Sequence, residues 1–507
     1  MLKKIREQSI PLIILFLTSI GFSLTTVFSP VSEATFGHDA GIFAYIGTAL
    51  TKGEILYTGA WDNKGPLLYF INALGILINY RYGIYLLEVC TLVATSVFLY
   101  KTGLLFVSKG KALIAAIFCI MTLSVTLDGG NLSEEYSLPF TTLAFYFIAK
   151  FFKNEFVLKK YEMMLVGACI AAIFLLRLNI LAFLACAVLG VIVVLINRKE
   201  YIKLATVAGF ALIGFFLFAT PFIIYLVVTN SFELCLDTVY LGVLGFFSKI
   251  PFRESFINII NMILRLKTPG SLYLIIFYVF VFPICYIKSK EKASAFNILG
   301  VISYFGLAFT LLANSLSGAY HLHYFMCFVP VLIIPAVWLI NFVECFFTKI
   351  HCKASFSGVI SCALILLMTI GSIPVLQNNV GGFRARHISR YEVSDYLCEN
   401  SQFSDRVLVI GEEASVTSYY RANRLSASNF FYYANGRFSD ESKTYFADEI
   451  SDDVLDVKPK LIMFETKAKM DDFLEHLTNR EEWDDFVESE YSVEEKDFFY
   501  KIYKRNY

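Results

Sequence analysis

Between Pro11 and Val375 the chain repeats apolar runs long enough to cross a bilayer, and this repetition limits its fold more than any other feature. A spanning helix needs roughly 17 to 25 mostly apolar residues, and lipid tolerates only segments that satisfy their own backbone hydrogen bonds. About eleven such runs fit on this measure. The composition agrees: 57% of the 507 residues are hydrophobic and 17% charged, too apolar for a soluble enzyme of this size. The expected fold is a polytopic α-helical membrane protein.

The basic clusters set an expected topology, because cytoplasmic loops collect Lys and Arg. The first span, about 11 to 28, follows MLKKIR and is expected to be an uncleaved anchor, since no small-x-small cleavage site precedes HDAGIF. Later spans fall near 81–107, 112–127, 136–152, two within 161–196, then 203–228, 271–287, 295–315, 324–343 and 356–375. The clusters at Lys109 and Lys111, KNEFVLKK, NRKEYIK, KSKEK and FTKIHCK then all lie on one side. The N-terminus is expected inside and the C-terminus outside. Residues 31–80 become an outer first loop, in which DAGIFAYIGTALTKG has helical spacing and stops at Gly53. KGPLLYFINALGILI forms a second helix with Pro66 in its first turn, where a missing N–H costs nothing. Its spacing suits a helix lying on the membrane and also a crossing.

The tail has different physics. Residues 380–507 carry 17 Lys/Arg against 26 Asp/Glu, so a basic membrane body, 1–378, is expected to precede an acidic soluble domain, 379–507. DRVLVIG, KPKLIMFET and FFYKIY have strand character, while RYEVSDYLCEN and AKMDDFLEHL have helical spacing. That alternation predicts a small extracytoplasmic α/β domain. DRVLVIG lacks the GxGxxG pattern of a nucleotide site. Ten of eleven cysteines precede residue 363 and none forms CxxC, so no disulfide framework or redox motif is expected. The basic residues sit in short clusters beside helix ends, which argues against nucleic acid.

The expected topology gathers unusual polar residues on the outer face. Outer loops are poor in cations, so Lys64 and Arg177 are candidates for holding a phosphate, Lys as a point charge and Arg bidentately. Snorkelling or lipid headgroup contact is the plainer alternative for each. Asp39, at the start of the first surface helix, either caps that helix or accepts the proton of an attacking hydroxyl. Asp62 and Glu54 lie in a turn near Gly59 and Gly53, and Asp62 is a candidate for acceptor binding or a second carboxylate. Glu134 and Glu135 are candidates for a second carboxylate that orients an acceptor or, with Asp39, for ligands of a divalent cation such as Mg or Mn. His38 and Asn179 are further candidates for substrate contact. His321 and His323 point apart on a helix but together in an extended turn; they lack HExxH and suit a phosphate or sugar oxygen better than a transition metal.

At this point the sequence resembles the integral-membrane GT-C class glycosyltransferases, in the bacterial branch of the protein-mannosyltransferase and aminoarabinose-transferase superfamily (glycosyltransferase family 39-like). HDAGIFAYIGTALTKGEILYTGAWDNKGPLLYFINAL is similar to that family's acidic first loop followed by Lys-x-Pro-Leu. GGNLSEEYSLPF resembles its second outer loop, FLLRLNILAF its Arg-containing turn, and YHLHYFMCFVPVLIIP its late His-Tyr and paired-proline segment, which adds Tyr324 to the candidate substrate contacts. The resemblance implies a GT-C fold in the cell membrane and transfer of a sugar from a polyprenyl-phosphate donor, at the outer face, to an envelope polysaccharide, lipid or protein. It implies that Asp39 is the catalytic carboxylate and that Lys64 meets the lipid phosphate. Asp39-Ala40 stands where the family has an acidic pair, and Gly65-Pro66 where it commonly has two prolines. A flippase or transporter of a lipid-linked saccharide, equally polytopic and equally in need of cations near a phosphate, is the competing expectation.

Overall fold

The computed structural model describes residues 2–32, 38–242, 252–267, 269–316, 321–349, 354–376, 391–411, 413–432, 440–496 and 499–506. Every apolar segment placed from sequence is helical there. Among the described residues seven helices are long and apolar enough to cross a membrane, or eight if the pair Leu322–Val331 and Ile333–Lys349, bent by 56°, is one span. Pro330 and Pro335 flank that bend, and each removes a backbone donor from the helical ladder. The first helix runs Leu2–Ser23, 22 residues, with Ser9–Ser23 as its apolar stretch.

The chain divides into two compact units. The first comprises Met1–Thr26, Tyr85–Tyr225 and Val239–Gly381. Its helices pack through small residues where backbones must approach. A Cβ on Gly167 would lie 1.7 Å from the Ala211 carbonyl oxygen, and one on Gly214 would lie 1.8 Å from that of Met164. Lys160–Phe174 therefore crosses Tyr201–Val228 at backbone distance. Side chains such as Leu217 and Phe216 on the second helix remain exposed, as a lipid-facing surface requires.

The second unit comprises Val27–Ile84, Leu226–Thr238 and Gly382–Tyr507, so the first loop and the tail share one body. The tail builds a five-stranded sheet in the order β2-β1-β3-β5-β4 from β1 (Arg406–Ile410), β2 (Leu425–Ser426), β3 (Leu461–Phe464), β4 (Tyr491–Lys496) and β5 (Phe499–Arg505). β1 is parallel to β2 and β3, while β5 is antiparallel to β3 and β4. The runs DRVLVIG, KPKLIMFET and FFYKIY supply β1, β3 and β5. Buried throughout, β3 is covered on both faces, as the central strand of an α/β sheet must be.

The loop supplies two helices, His38–Thr51 and Pro66–Ile78, that pack on each other and on the tail. Pro66 occupies the first helical position as expected. Trp61 donates its backbone N–H to the Asn429 carbonyl at 3.1 Å, and its ring lies 5.4 Å from Phe430 and 5.5 Å from Phe446, against the tail core. The Tyr45 hydroxyl accepts the Ser426 N–H at 2.8 Å. Tyr80 and Tyr420 stack with centroids 5.0 Å apart, and each donates its hydroxyl to the other's carbonyl.

Candidate functional site

The candidate residues fall into two groups, one in each compact unit. In the second unit the site is built on the turn between the loop helices. Tyr57 holds φ at 72°, a left-handed conformation that aromatic residues rarely adopt, and its N–H closes the turn on the Ala60 carbonyl at 3.0 Å. This directs the Tyr57 hydroxyl to the Lys64 carbonyl at 2.9 Å. The Lys64 N–H donates to the Tyr69 hydroxyl at 3.1 Å, and that hydroxyl donates to Asp62 Oδ2 at 2.7 Å. The peptide groups of Lys64 are thus held on both sides.

Its side chain stays near the surface, with Nζ 2.5 Å from Asn63 Oδ1 and 5.9 Å from the centroid of the Phe43 ring. Asp39 lies in the first turn of His38–Thr51, one turn before Phe43 and on the same helix face. The loop therefore carries a carboxylate at the start of its first helix and an ammonium group near Phe43 of that helix. Asp62 is 3% exposed and accepts a second hydroxyl, that of Tyr432, on Oδ1 at 3.2 Å. It braces the turn, and both of its oxygens are engaged within the protein. Desolvation, followed by the negative charges of Asp62 and Asp39, pushes the Tyr432 hydroxyl well above its usual pKa. Glu54 is ion-paired with Arg406. The His38 side chain lies outside the described residues.

In the first unit Arg177 is the centre. It precedes a short 3-10 turn, Leu178–Leu181, in the hairpin expected to carry it. Its guanidinium pairs with Glu134, itself 1% exposed and also bonded by Ser133 at 2.8 Å. A second nitrogen donates to the Tyr324 hydroxyl at 3.0 Å. Nearby, Asn314 donates to the Tyr324 carbonyl at 2.9 Å, and Asn179 meets Asn314 at 3.4 Å. His321 and His323 stack with centroids 5.1 Å apart across the start of a 3-10 segment, Leu322–Cys327, so they do share a side. His323 Nδ1 lies 3.2 Å from Asp128 Oδ2.

The paired glutamates diverge. Glu134 turns to Arg177, whereas Glu135 accepts the Asn131 N–H at 2.8 Å together with Glu88, whose oxygen is at the same distance. Glu88 also accepts the Thr26 hydroxyl at 2.7 Å. The connecting loop holds four successive left-handed residues, Asp128, Gly129, Gly130 and Asn131, with φ of 48°, 92°, 80° and 53°. A Cβ on Gly130 would lie 2.3 Å from Glu88 Oε1, so this close approach needs glycine. Among the described residues no group of three or more His, Cys, Asp or Glu side chains is arranged to hold a metal ion.

Sequence reasoning passed over Tyr57, Tyr69, Tyr432 and Glu88. The tyrosines carry no motif, since their role is a bond to another residue's main chain. Glu88 had a signal, a lone carboxylate within an apolar run, which marks function or pairing by its cost in lipid.

A family model described as "Putative competence-induced protein Ccs4 N-terminal domain" matches residues 2–346. No curated protein matches the chain in sequence. Among solved structures, ArnT from Cupriavidus metallidurans in the apo state is similar at TM-score 0.60 and 11% identity, covering 97% of each chain. The same protein bound to undecaprenyl phosphate gives 0.58 at 11% identity, again over 97% of each. The oligosaccharyltransferase AglB from Archaeoglobus fulgidus, in complex with an inhibitory peptide and a dolichol-phosphate, gives 0.54 at 12% identity, over 99% of this chain and 74% of that one. The fold is therefore the polytopic GT-C type.

Proposed function

From the premise that this chain belongs to the family of the putative competence-induced protein Ccs4 N-terminal domain, we propose that it is a membrane glycosyltransferase using a polyprenyl-phosphate sugar. In this reading it crosses the membrane eleven times, with its N-terminus inside and its tail outside. The sugar passes to an envelope acceptor at the outer face. The observation that carries this reading is the clamped main chain of Lys64, whose ammonium group lies 5.9 Å from the Phe43 ring on the loop that also carries Asp39: a cation and a carboxylate on one loop, each suited to one end of the transfer. The fold likeness to proteins solved with undecaprenyl phosphate and dolichol-phosphate adds support.

The donor's prenyl chain enters from the bilayer and its phosphate meets Lys64. Arg177, held by Glu134 and Tyr324 in the first unit, is a further candidate phosphate-binding cation in this reading. An acceptor hydroxyl or amine attacks the anomeric carbon as Asp39 takes its proton, the bond to the phosphate breaks, and the configuration inverts. Phosphate is already a competent leaving group, so cations that stabilise its growing charge matter more than a general acid.

The test is to reconstitute the purified protein in vesicles with a radiolabelled polyprenyl-phosphate sugar and envelope extract. Label on an acceptor is the expected result. Movement of the labelled lipid across the bilayer without transfer would establish a flippase instead.

A further inference from the structure

Tyr432 comes from the tail, 370 positions after the Asp62 carboxylate to which it donates at 3.2 Å. Asp62 also receives the Tyr69 hydroxyl at 2.7 Å. A phenol has one proton, so Tyr69, having given it to Asp62, has lone pairs left for the Lys64 N–H at 3.1 Å. The order Tyr432, Asp62, Tyr69, Lys64 is thus a directed relay, with each group fixing the next. Tyr432 is its one described member from outside the loop.

Other bonds between loop and tail have different ends. Trp61 packs into the tail core, Tyr45 holds β2, Tyr80 pairs with Tyr420, and Glu54 pairs with Arg406. These join the two segments without reaching Lys64, so the tail does not need the Tyr432 hydroxyl to stay attached.

We propose that Tyr432 is a positioning residue for Lys64, through which the C-terminal domain sets the first loop's affinity for a lipid-linked phosphate. This rests on Lys64 being the phosphate ligand. A phenol is protonated at physiological pH and burial moves its pKa further up, so Tyr432 stays a donor. Asp62 then stays turned to Tyr69, and the ammonium group projects from a fixed main chain.

The experiment uses the full chain in nanodiscs and measures undecaprenyl phosphate binding, KM and kcat for a polyprenyl-phosphate sugar, and the unfolding temperature. Tyr432→Phe is expected to raise Kd and KM about fivefold, the scale of one hydrogen bond, with kcat unchanged. Asp62→Asn shifts the same constants, and adding Tyr432→Phe to it produces no further shift, because both act through one relay. Tyr500→Phe, at an exposed position, is the control. Unchanged binding in Tyr432→Phe, alongside weakened binding in Lys64→Ala, overturns the proposal and leaves the Lys64 reading standing. Unchanged binding in Lys64→Ala overturns both. A fall in unfolding temperature with no change in Kd shows a structural tyrosine and likewise overturns it.

Discussion

Glu134 and Arg177, 43 positions apart, form an ion pair whose side chains are 2% and 18% exposed, respectively. The pair fixes the guanidinium at the price of taking a carboxylate out of water. Breaking such a pair from one side leaves an uncompensated charge, which costs about 3–5 kcal/mol. Glu134→Ala should therefore destabilise the protein on that scale and weaken donor binding. Glu134→Gln, which still accepts a hydrogen bond, should lose less. Thermal unfolding in detergent checks this, and equal losses would count against the pair.

The loop from Asp128 to Asn131 makes a second prediction. Gly130→Ala meets both a positive φ and the Glu88 carboxylate, so it should cost more than the roughly 1–3 kcal/mol of backbone strain alone. Gly53→Ala meets the strain but open space, and should stay within that range. The unfolding temperatures of the two variants decide it.

A third prediction separates packing from charge in the second unit. Trp61→Ala removes a partly buried ring from the tail core and should cost about 2–3 kcal/mol, below the roughly 3–5 of a fully buried aromatic. Glu54→Gln breaks a part-exposed ion pair with Arg406 and should cost at most about 1 kcal/mol. Limited proteolysis of the tail should follow the same order.

Lys52 gives a pH prediction. Its Nζ donates to the Asn423 carbonyl at 2.8 Å and lies 3.9 Å from the Phe403 ring centroid. Desolvation, then the charges of Arg424 and Arg406, lower its pKa from 10.5 to about 8. Between those values the unfolded chain binds the proton that the folded one has released, so this group's penalty is full below about 8 and fades as pH rises toward 10.5. Lys52→Met should remove that part of the rise in stability. NMR titration of isotopically methylated lysines should find one amine titrating well below the others; its absence would contradict the environment described.

Much of the fold was legible because lipid imposes length and charge rules that a sequence displays directly. The apolar helices, the loop helices broken near Gly53 and Pro66, and β1, β3 and β5 follow from local pattern. β4 was not legible: Tyr491–Lys496 is an edge strand with mostly exposed charged positions, which hides its periodicity. That the loop and tail share one body was not legible either, since Asp62 meets Tyr432 across 370 residues and no spacing records such a contact. Arg177 stood out as a cation in an apolar hairpin. Its partner Glu134 could be proposed only as one of an acidic pair, because the sequence cannot say which neighbour turns inward.

The most direct measurement of the central claim compares Asp39→Asn with the unaltered protein for undecaprenyl phosphate binding and for sugar transfer from the labelled donor. The account predicts unchanged binding with transfer lost, because the proposed phosphate ligand Lys64 is untouched while the carboxylate proposed to take the acceptor's proton is gone. Normal turnover in Asp39→Asn would contradict it.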